Sequence, residues 1–158
     1  MVFILISLTL LVVSGLAAFC LKRFDVLANY VGGFGAVFSG FIGLTGLFLV
    51  LNGSRFRELS LSWSLPYASF SLAIDSLSAL FLLPIFVLSV FSAIYGVEYL
   101  RNFYGKKNIG SAWFFFNLLV SGMILVVIGR NAVLFLVAWE IMSLSSFFLV
   151  LFEKSFVR

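Results

Sequence analysis

Apolar runs of about twenty residues, separated by short charged clusters, divide this chain from end to end. They cover Val2–Leu21, Tyr30–Leu51, Asp75–Val97, Ser111–Gly129 and Ala132–Phe152. A helix rises about 1.5 Å per residue and bilayer hydrocarbon is about 30 Å thick, so each run can cross it as an α-helix. Charged residues fall almost entirely between the runs or at their ends. The pattern predicts an all-α polytopic membrane protein with five transmembrane helices, forming a single membrane domain over residues 1–158.

One connection departs from the helical pattern. In LSLSWSLPYASFSLAI, Leu59, Leu61, Trp63 and Leu65 alternate with small or polar residues. The alternation resumes at Phe70, Leu72 and Ile74, beyond Pro66 and Tyr67. Period two around a proline turn predicts a short β-hairpin between helices 2 and 3. Open strand edges leave backbone groups unsatisfied in hydrocarbon, so this hairpin is expected to be extracytoplasmic, above the outer face of the bilayer.

Composition agrees with lipid as the solvent. The chain is 63% hydrophobic and 10% charged, where a soluble domain carries about 25% charged residues. It has no histidine and a single cysteine, Cys20. These exclude an internal disulfide, haem ligation by histidine, imidazole–zinc chemistry and a histidine proton relay within the chain, so no cofactor is expected in it. The net charge of +4 lies in short loops and reads as membrane topology, with the lipid bilayer and not nucleic acid as the partner. The first run is expected to stay as a span and not to be cleaved. Lys22 and Arg23 follow it instead of preceding it, and the bulky Phe19 stands before Cys20 where a lipoprotein cleavage box has a small residue.

The basic residues also orient the spans. Lys22, Arg23, Arg101, Lys106, Lys107, Lys154 and Arg158 lie on one side, and Arg55, Arg57 and Arg130 on the other. The richer side is expected in the cytoplasm, which puts the N-terminus outside and the C-terminus inside.

Several polar or small residues interrupt the runs. Gly32, Ala36 and Gly40 recur at four-residue spacing, continued by Gly43 and Gly46, as suits a helix-packing face; a flexible hinge is the alternative. Asp75 opens the third run as an N-cap, its oxygen accepting from free backbone N–H groups, or serves ion uptake. Pro84 should kink that helix. Glu98 falls at the opposite interface, beside Tyr95, Tyr99 and Arg101, as a solvated acid. Asn117 and Ser121, four residues apart, are expected to hydrogen-bond a neighbouring helix. Arg130 sits in a two-residue turn with Asn131, from which it can snorkel to the surface.

Glu140 has no such escape. It lies eight residues beyond Ala132 and twelve before Phe152, too deep for a short side chain to reach water. A charge at the bilayer centre costs about 2.5–3.5 kcal/mol on insertion scales. Burial favours the neutral acid and a nearby cation favours the carboxylate, so a carboxyl held between them suits proton relay. Ser143, three residues on, shares its face and can hold a water beside it. The competing reading is a neutral acid that hydrogen-bonds another helix purely for packing. No Lys or Arg of this chain lies at mid-membrane.

The segments FSLAIDSLSALFLL, AIYGVEYL and FLVAWEIMSLSSFFLVLFE resemble the N-terminal part of the antiporter-like membrane subunits. These occur in complex I-type NADH:quinone oxidoreductases, Mrp sodium/proton antiporters and membrane-bound nickel-iron hydrogenases. The form AWEIMSLSSFFLVLFE is nearest the hydrogenase-4 and formate hydrogenlyase branch. The resemblance runs from Met1 to Glu153, and its most specific element is Trp139–Glu140 followed by Met142, Ser143 and Ser146. It implies that Glu140 matches a glutamate on the family's fifth helix, which pairs with a lysine on the seventh and tunes its proton affinity during translocation. Asp75 would match the aspartate that opens the third helix.

Family members carry many more helices than five, and the lysine-bearing helices are absent from these residues. The resemblance therefore implies a split or truncated part of a subunit in a prokaryotic cell membrane. Its partners would be other membrane subunits of a complex I-like or hydrogenase assembly, including a chain that carries the remaining helices. The expected function is redox-driven proton or cation translocation, with Glu140 coupled to a lysine from another segment and no redox site in this chain. A structural or assembly subunit with no transport role is the alternative. A small independent permease is less favoured, because it would carry its own counter-charge.

The orientation is open to direct test. Reporter fusions after Lys107 and after Arg158 are expected to report cytoplasm, and one at Pro66 the outside. Reversed signals at Pro66 and Arg158 would overturn the charge-derived topology.

Overall fold

The computed structural model describes residues 1–52, 59–62 and 69–154, apart from the side chains of residues 59–62, 69–70 and 153–154. Five long helices carry it: α1 (Val2–Cys20), α2 (Asp25–Leu51), α3 (Ser76–Arg101), α4 (Ile109–Ile128) and α5 (Ala132–Lys154). Two four-residue strands, β1 (Leu59–Ser62) and β2 (Ser69–Leu72), lie between α2 and α3. All five helices are long and apolar enough to cross a membrane.

The helices do not end where the apolar runs end. α2 begins at Asp25, ahead of Tyr30, and α3 continues past Val97 to Arg101. Hydropathy marks the part of a helix that lipid surrounds, whereas backbone hydrogen bonding continues into the interface until a cap stops it. Asn108 supplies such a cap for α4, its side chain accepting from the Ser111 N–H at 3.2 Å, so α4 starts at Ile109 and not Ser111. Gly105 turns the chain between α3 and α4 with φ at +70°, a conformation that suits glycine. Its N–H donates to Asp25 Oδ2 at 2.7 Å, which ties this turn to the start of α2. α3 runs through Pro84 as one helix.

α2 packs against α1, α3 and α4, while α5 packs against α4. The small-residue face of α2 makes its close contacts possible. A Cβ on Gly32 would stand 2.4 Å from Cβ of Trp113 on α4, and one on Gly43 would stand 2.3 Å from the Phe86 ring on α3. Between lipid-facing helices there is little hydrophobic gain from association, so close backbone approach and hydrogen bonds must hold them. The packing reading of these glycines accounts for the contacts without a hinge.

Buried polar groups supply the rest. The Ser7 and Ser39 hydroxyls join α1 to α2 at 2.8 Å. Asn29 is fully buried and acts as a hub. Its Oδ1 accepts from Trp113 Nε1 at 2.7 Å, and its Nδ2 donates to the Val97 carbonyl at 2.8 Å and to the Tyr104 hydroxyl at 2.6 Å. Asn117 Nδ2 donates to Ser14 Oγ on α1 at 3.2 Å and to the Gly32 carbonyl on α2 at 3.4 Å, as expected of an interhelical amide. Ser121 differs from expectation: its hydroxyl donates back to the Asn117 carbonyl of its own helix at 2.8 Å. A serine within a helix always has that carbonyl in reach, so spacing alone cannot assign it to a neighbour.

β1 and β2 pair antiparallel, in a register that sets Leu59 opposite Leu72 and Ser62 opposite Ser69. The turn expected around Pro66 falls in residues 63–68, outside the described residues. Beyond this pairing, β2 reaches the α4–α5 turn. Leu72 bridges Gly129, the Ala73 N–H donates to the Ile128 carbonyl at 3.0 Å, and the Arg130 N–H donates to the Ser71 carbonyl at 2.9 Å. Nothing in the alternating pattern announces this third contact.

Gly32→Ala forces a methyl into Trp113 and is expected to destabilise the fold by about 1–3 kcal/mol, as overpacking does. Gly96→Ala brings its methyl only to 3.3 Å from the edge of the Trp113 ring and should cost less. Thermal unfolding of both variants in the membrane-extracted assembly checks this order; equal stabilities would contradict the close α2–α4 approach.

Candidate functional site

α5 has one face on α4 and another turned away from the bundle. Leu134, Ala138 and Ser145 are buried, and Met142 stands over Gly122 of α4, 3.1 Å from where a Cβ would lie. Val133, Leu136, Val137, Leu144 and Phe147 are exposed. Glu140 belongs to this exposed set. Eight residues from the start of α5, it stands about 12 Å along the helix axis, among side chains suited only to lipid or to another apolar helix.

Among the described residues, no hydrogen bond or ion pair reaches Glu140. The described cations sit at the two ends of the bundle. Lys22, Arg23, Arg101, Lys106 and Lys107 mark the end near the α3–α4 turn, and Arg130 marks the end near β2. Ser143 is exposed on the same side of α5 as Glu140. With Leu119, Trp139, Met142 and Ser146 it lines a cleft of about 320 Å³ between α4 and α5. The residue pattern located the acid at mid-depth; only the packing of α5 on α4 reveals that it faces away from the other four helices.

The other two acids singled out by sequence lie apart from Glu140 and from each other. Asp75 caps α3, its Oδ1 accepting from the Ser78 N–H at 2.7 Å. Its Oδ2 takes a 2.7 Å ion pair from Arg130 Nη2. The Ser78 N–H first, and the Arg130 guanidinium beside it, hold the Asp75 carboxyl well below the usual carboxylate range. A carboxylate that stays ionised through the neutral range and is engaged on both oxygens is fitted to hold structure, not to exchange protons. Arg130, expected to snorkel, is thus part of a clasp that binds the α4–α5 turn to the start of α3. Ser78 adds to it by donating to the Val127 carbonyl at 3.3 Å. Glu98 pairs with Arg101 at 2.8 Å on the exposed surface of α3, at the opposite end of that helix from Asp75.

Among the described residues, no three His, Cys, Asp or Glu side chains come together in a way that could hold a metal ion.

Five long apolar helices, with an acid on an outward face of the fifth, define a multi-pass membrane segment. No family model matches the chain. Individual relatives do. Hydrogenase-4 component B of Escherichia coli is 32% identical over 145 residues, 92% of this chain and 21% of that protein. The putative antiporter subunit mnhA2 of Staphylococcus aureus is 29% identical over 126 residues, 73% of this chain and 16% of that protein. The chain thus belongs to the family of antiporter-like membrane subunits of hydrogenase and antiporter complexes, and spans only 16–21% of the length of these relatives.

The clasp makes a pH prediction. The folded state depresses the proton affinity of Asp75, so its contribution is present above the ordinary aspartate range, near pH 4, and is lost as pH falls through and below it. Asp75→Asn keeps a capping oxygen but removes the ion pair, whereas Asp75→Ala removes both and should be the less stable of the two. Thermal stability measured from pH 7 down to pH 3 should show the wild-type advantage over Asp75→Asn shrinking with acid. An advantage that stays constant across that range would contradict the ion pair.

Proposed function

We propose that these residues form part of a membrane subunit that translocates protons or other cations within a redox-driven complex of the hydrogenase or complex I-like kind. In this reading Glu140 is the coupling acid, and its counter-charge is a lysine in a segment outside residues 1–158. The observation that carries the proposal is the outward position of Glu140 at mid-depth, with the described cations confined to the two ends of the bundle. An isolated carboxylate exposed to lipid is costly, so the site makes physical sense only when further protein covers it. The similarity to hydrogenase-4 component B and to mnhA2 supports the same reading.

The remaining parts follow from it. Ser143, in the cleft beside Glu140, holds a water that hands protons to and from the acid. The end bearing Lys22, Arg23, Arg101, Lys106 and Lys107 faces the cytoplasm of a prokaryotic cell and the end bearing β1 and β2 faces outward. Asp75 and Glu98 serve structure at the two interfaces. Redox centres belong to partner subunits. The competing reading, a packing acid in a scaffolding subunit, draws on the bundle's use of Asn29 and Asn117 as interhelical amides.

Two substitutions separate the readings. Glu140→Gln keeps size and hydrogen-bonding capacity but removes the charge. Glu140→Asp keeps the charge and withdraws it by one methylene, about 1.5 Å. A coupling acid predicts strongly reduced proton uptake for Gln and partial uptake for Asp, measured in vesicles at matched levels of assembled complex. A packing acid predicts the reverse order, with Gln tolerated and Asp disruptive; full pumping by the Gln variant would sink the coupling role.

A further inference from the structure

A cavity of about 180 Å³ lies between α3, α4 and α5 at the basic end of the bundle. Gly96 and Ala112 leave the space, the rings of Trp113 and Phe116 wall it, and Lys107 stands at its mouth. The Trp113 indole N–H is already given to Asn29, so the ring offers the cavity only an apolar edge. Along α3 the lining extends from Ser92 to Leu100, eight residues or about 12 Å of rise. One leaflet of hydrocarbon is about 15 Å deep, half of the core. The cavity thus follows the membrane normal from the interface into a single leaflet, which is the course of an acyl chain and not the shape of a compact solute. Exposed Ser92 and Tyr99 on its α3 side leave it open to entry from the bilayer.

The mouth is basic. The α3–α4 connection from Arg101 to Lys107 carries Arg101, Lys106 and Lys107 and no acid of its own; of the acids beside it, Glu98 is engaged by Arg101 and Asp25 accepts from the Gly105 N–H. The Lys107 ammonium lies over the rings of Phe103 and Phe152, at 5.0 and 4.7 Å from their centroids. It also donates to the Phe152 carbonyl. These contacts hold the cation at the level where a bilayer places its phosphates. Lys106, beside it, is exposed.

We propose that this groove binds one anionic phospholipid, with an acyl chain lying along Gly96, Trp113 and Phe116 and the phosphate set against Lys106 and Lys107. The lipid fills the space between α3 and α5, and it supports the end of α5 from the side opposite the Asp75–Arg130 clasp. Basic pockets between membrane helices recognise acidic headgroups in this way.

Native mass spectrometry of the membrane-extracted assembly, titrated with phosphatidylglycerol or phosphatidylcholine, tests the site. The wild type is expected to retain one phosphatidylglycerol that phosphatidylcholine does not displace. Gly96→Leu and, separately, Ser92→Leu fill the groove at different depths and should each lose that lipid, so a folding defect in one variant does not decide the matter. Lys106→Gln with Lys107→Gln should weaken its binding about thirtyfold, at roughly 1 kcal/mol for each lysine near the surface. Equal retention of phosphatidylglycerol by wild type and both leucine variants would overturn the proposal, because the retained lipid would then lie outside the groove. Equal retention of phosphatidylcholine would overturn it as well, since the basic mouth would then select nothing.

Discussion

Hydrocarbon offers no hydrogen bonds, so a polar group within it must be paired by protein or carry a cost of several kcal/mol. Most of this bundle can be derived from that constraint. Asn29 is fully buried, and both ends of its amide are engaged by Trp113, Val97 and Tyr104. Ser7 and Ser39 satisfy one another across α1 and α2. Asp75 and Arg130 meet where α3 begins and α5 is about to begin, at the interface where charge is tolerated. Asn117 is satisfied only through its Nδ2, its buried Oδ1 having no partner among the described residues, and Glu140 departs further: a carboxyl at mid-depth, turned outward, with no described partner. The proposal that further protein covers Glu140 applies the same rule to it.

The packing divides labour among the helices. α2, stripped of side-chain bulk at Gly32 and Gly43, lets α3 and α4 approach its backbone. α5 stands apart from this arrangement and rests on α4. Only 17% of its apolar window is buried within the bundle, against 33–44% for the other four helices. Its position is set by one face packed along α4, with Met142 against Gly122, and by contacts at its two ends: the Arg130–Asp75 clasp with the β2 pairing at one, and Lys107 against Phe152 at the other. A helix held by one face and its two ends leaves the rest of its surface exposed.

Much of this was legible in the sequence, for reasons specific to membranes. Hydropathy alone separates five spans, because lipid demands an unbroken apolar run and short loops collect the charges. The N-cap at Asp75 and the packing role of the α2 glycines follow from residue type and spacing. Helix ends were displaced, at Asp25, Arg101 and Ile109, because backbone hydrogen bonding continues where hydropathy stops. The Asn29 hub left no periodic signal: one asparagine near the end of a run looks like an interfacial residue until Trp113 is seen to reach it from 84 positions away. The β2 contact with Gly129 and the Asp75–Arg130 pair are likewise long-range, and no local pattern encodes them. The depth of Glu140 could be counted from the sequence, but its direction could not, because 3.6-residue periodicity is silent where nearly every neighbour is apolar.

What Glu140 faces is read directly by a photo-crosslinking residue at position 140. With p-benzoylphenylalanine placed there in the assembled complex, irradiation followed by peptide mass spectrometry identifies the contact. The predicted product joins position 140 to a membrane helix outside residues 1–158, within one turn of a lysine. Crosslinks to lipid alone, or to α1, α2, α3 or α4 of the same bundle, would contradict it.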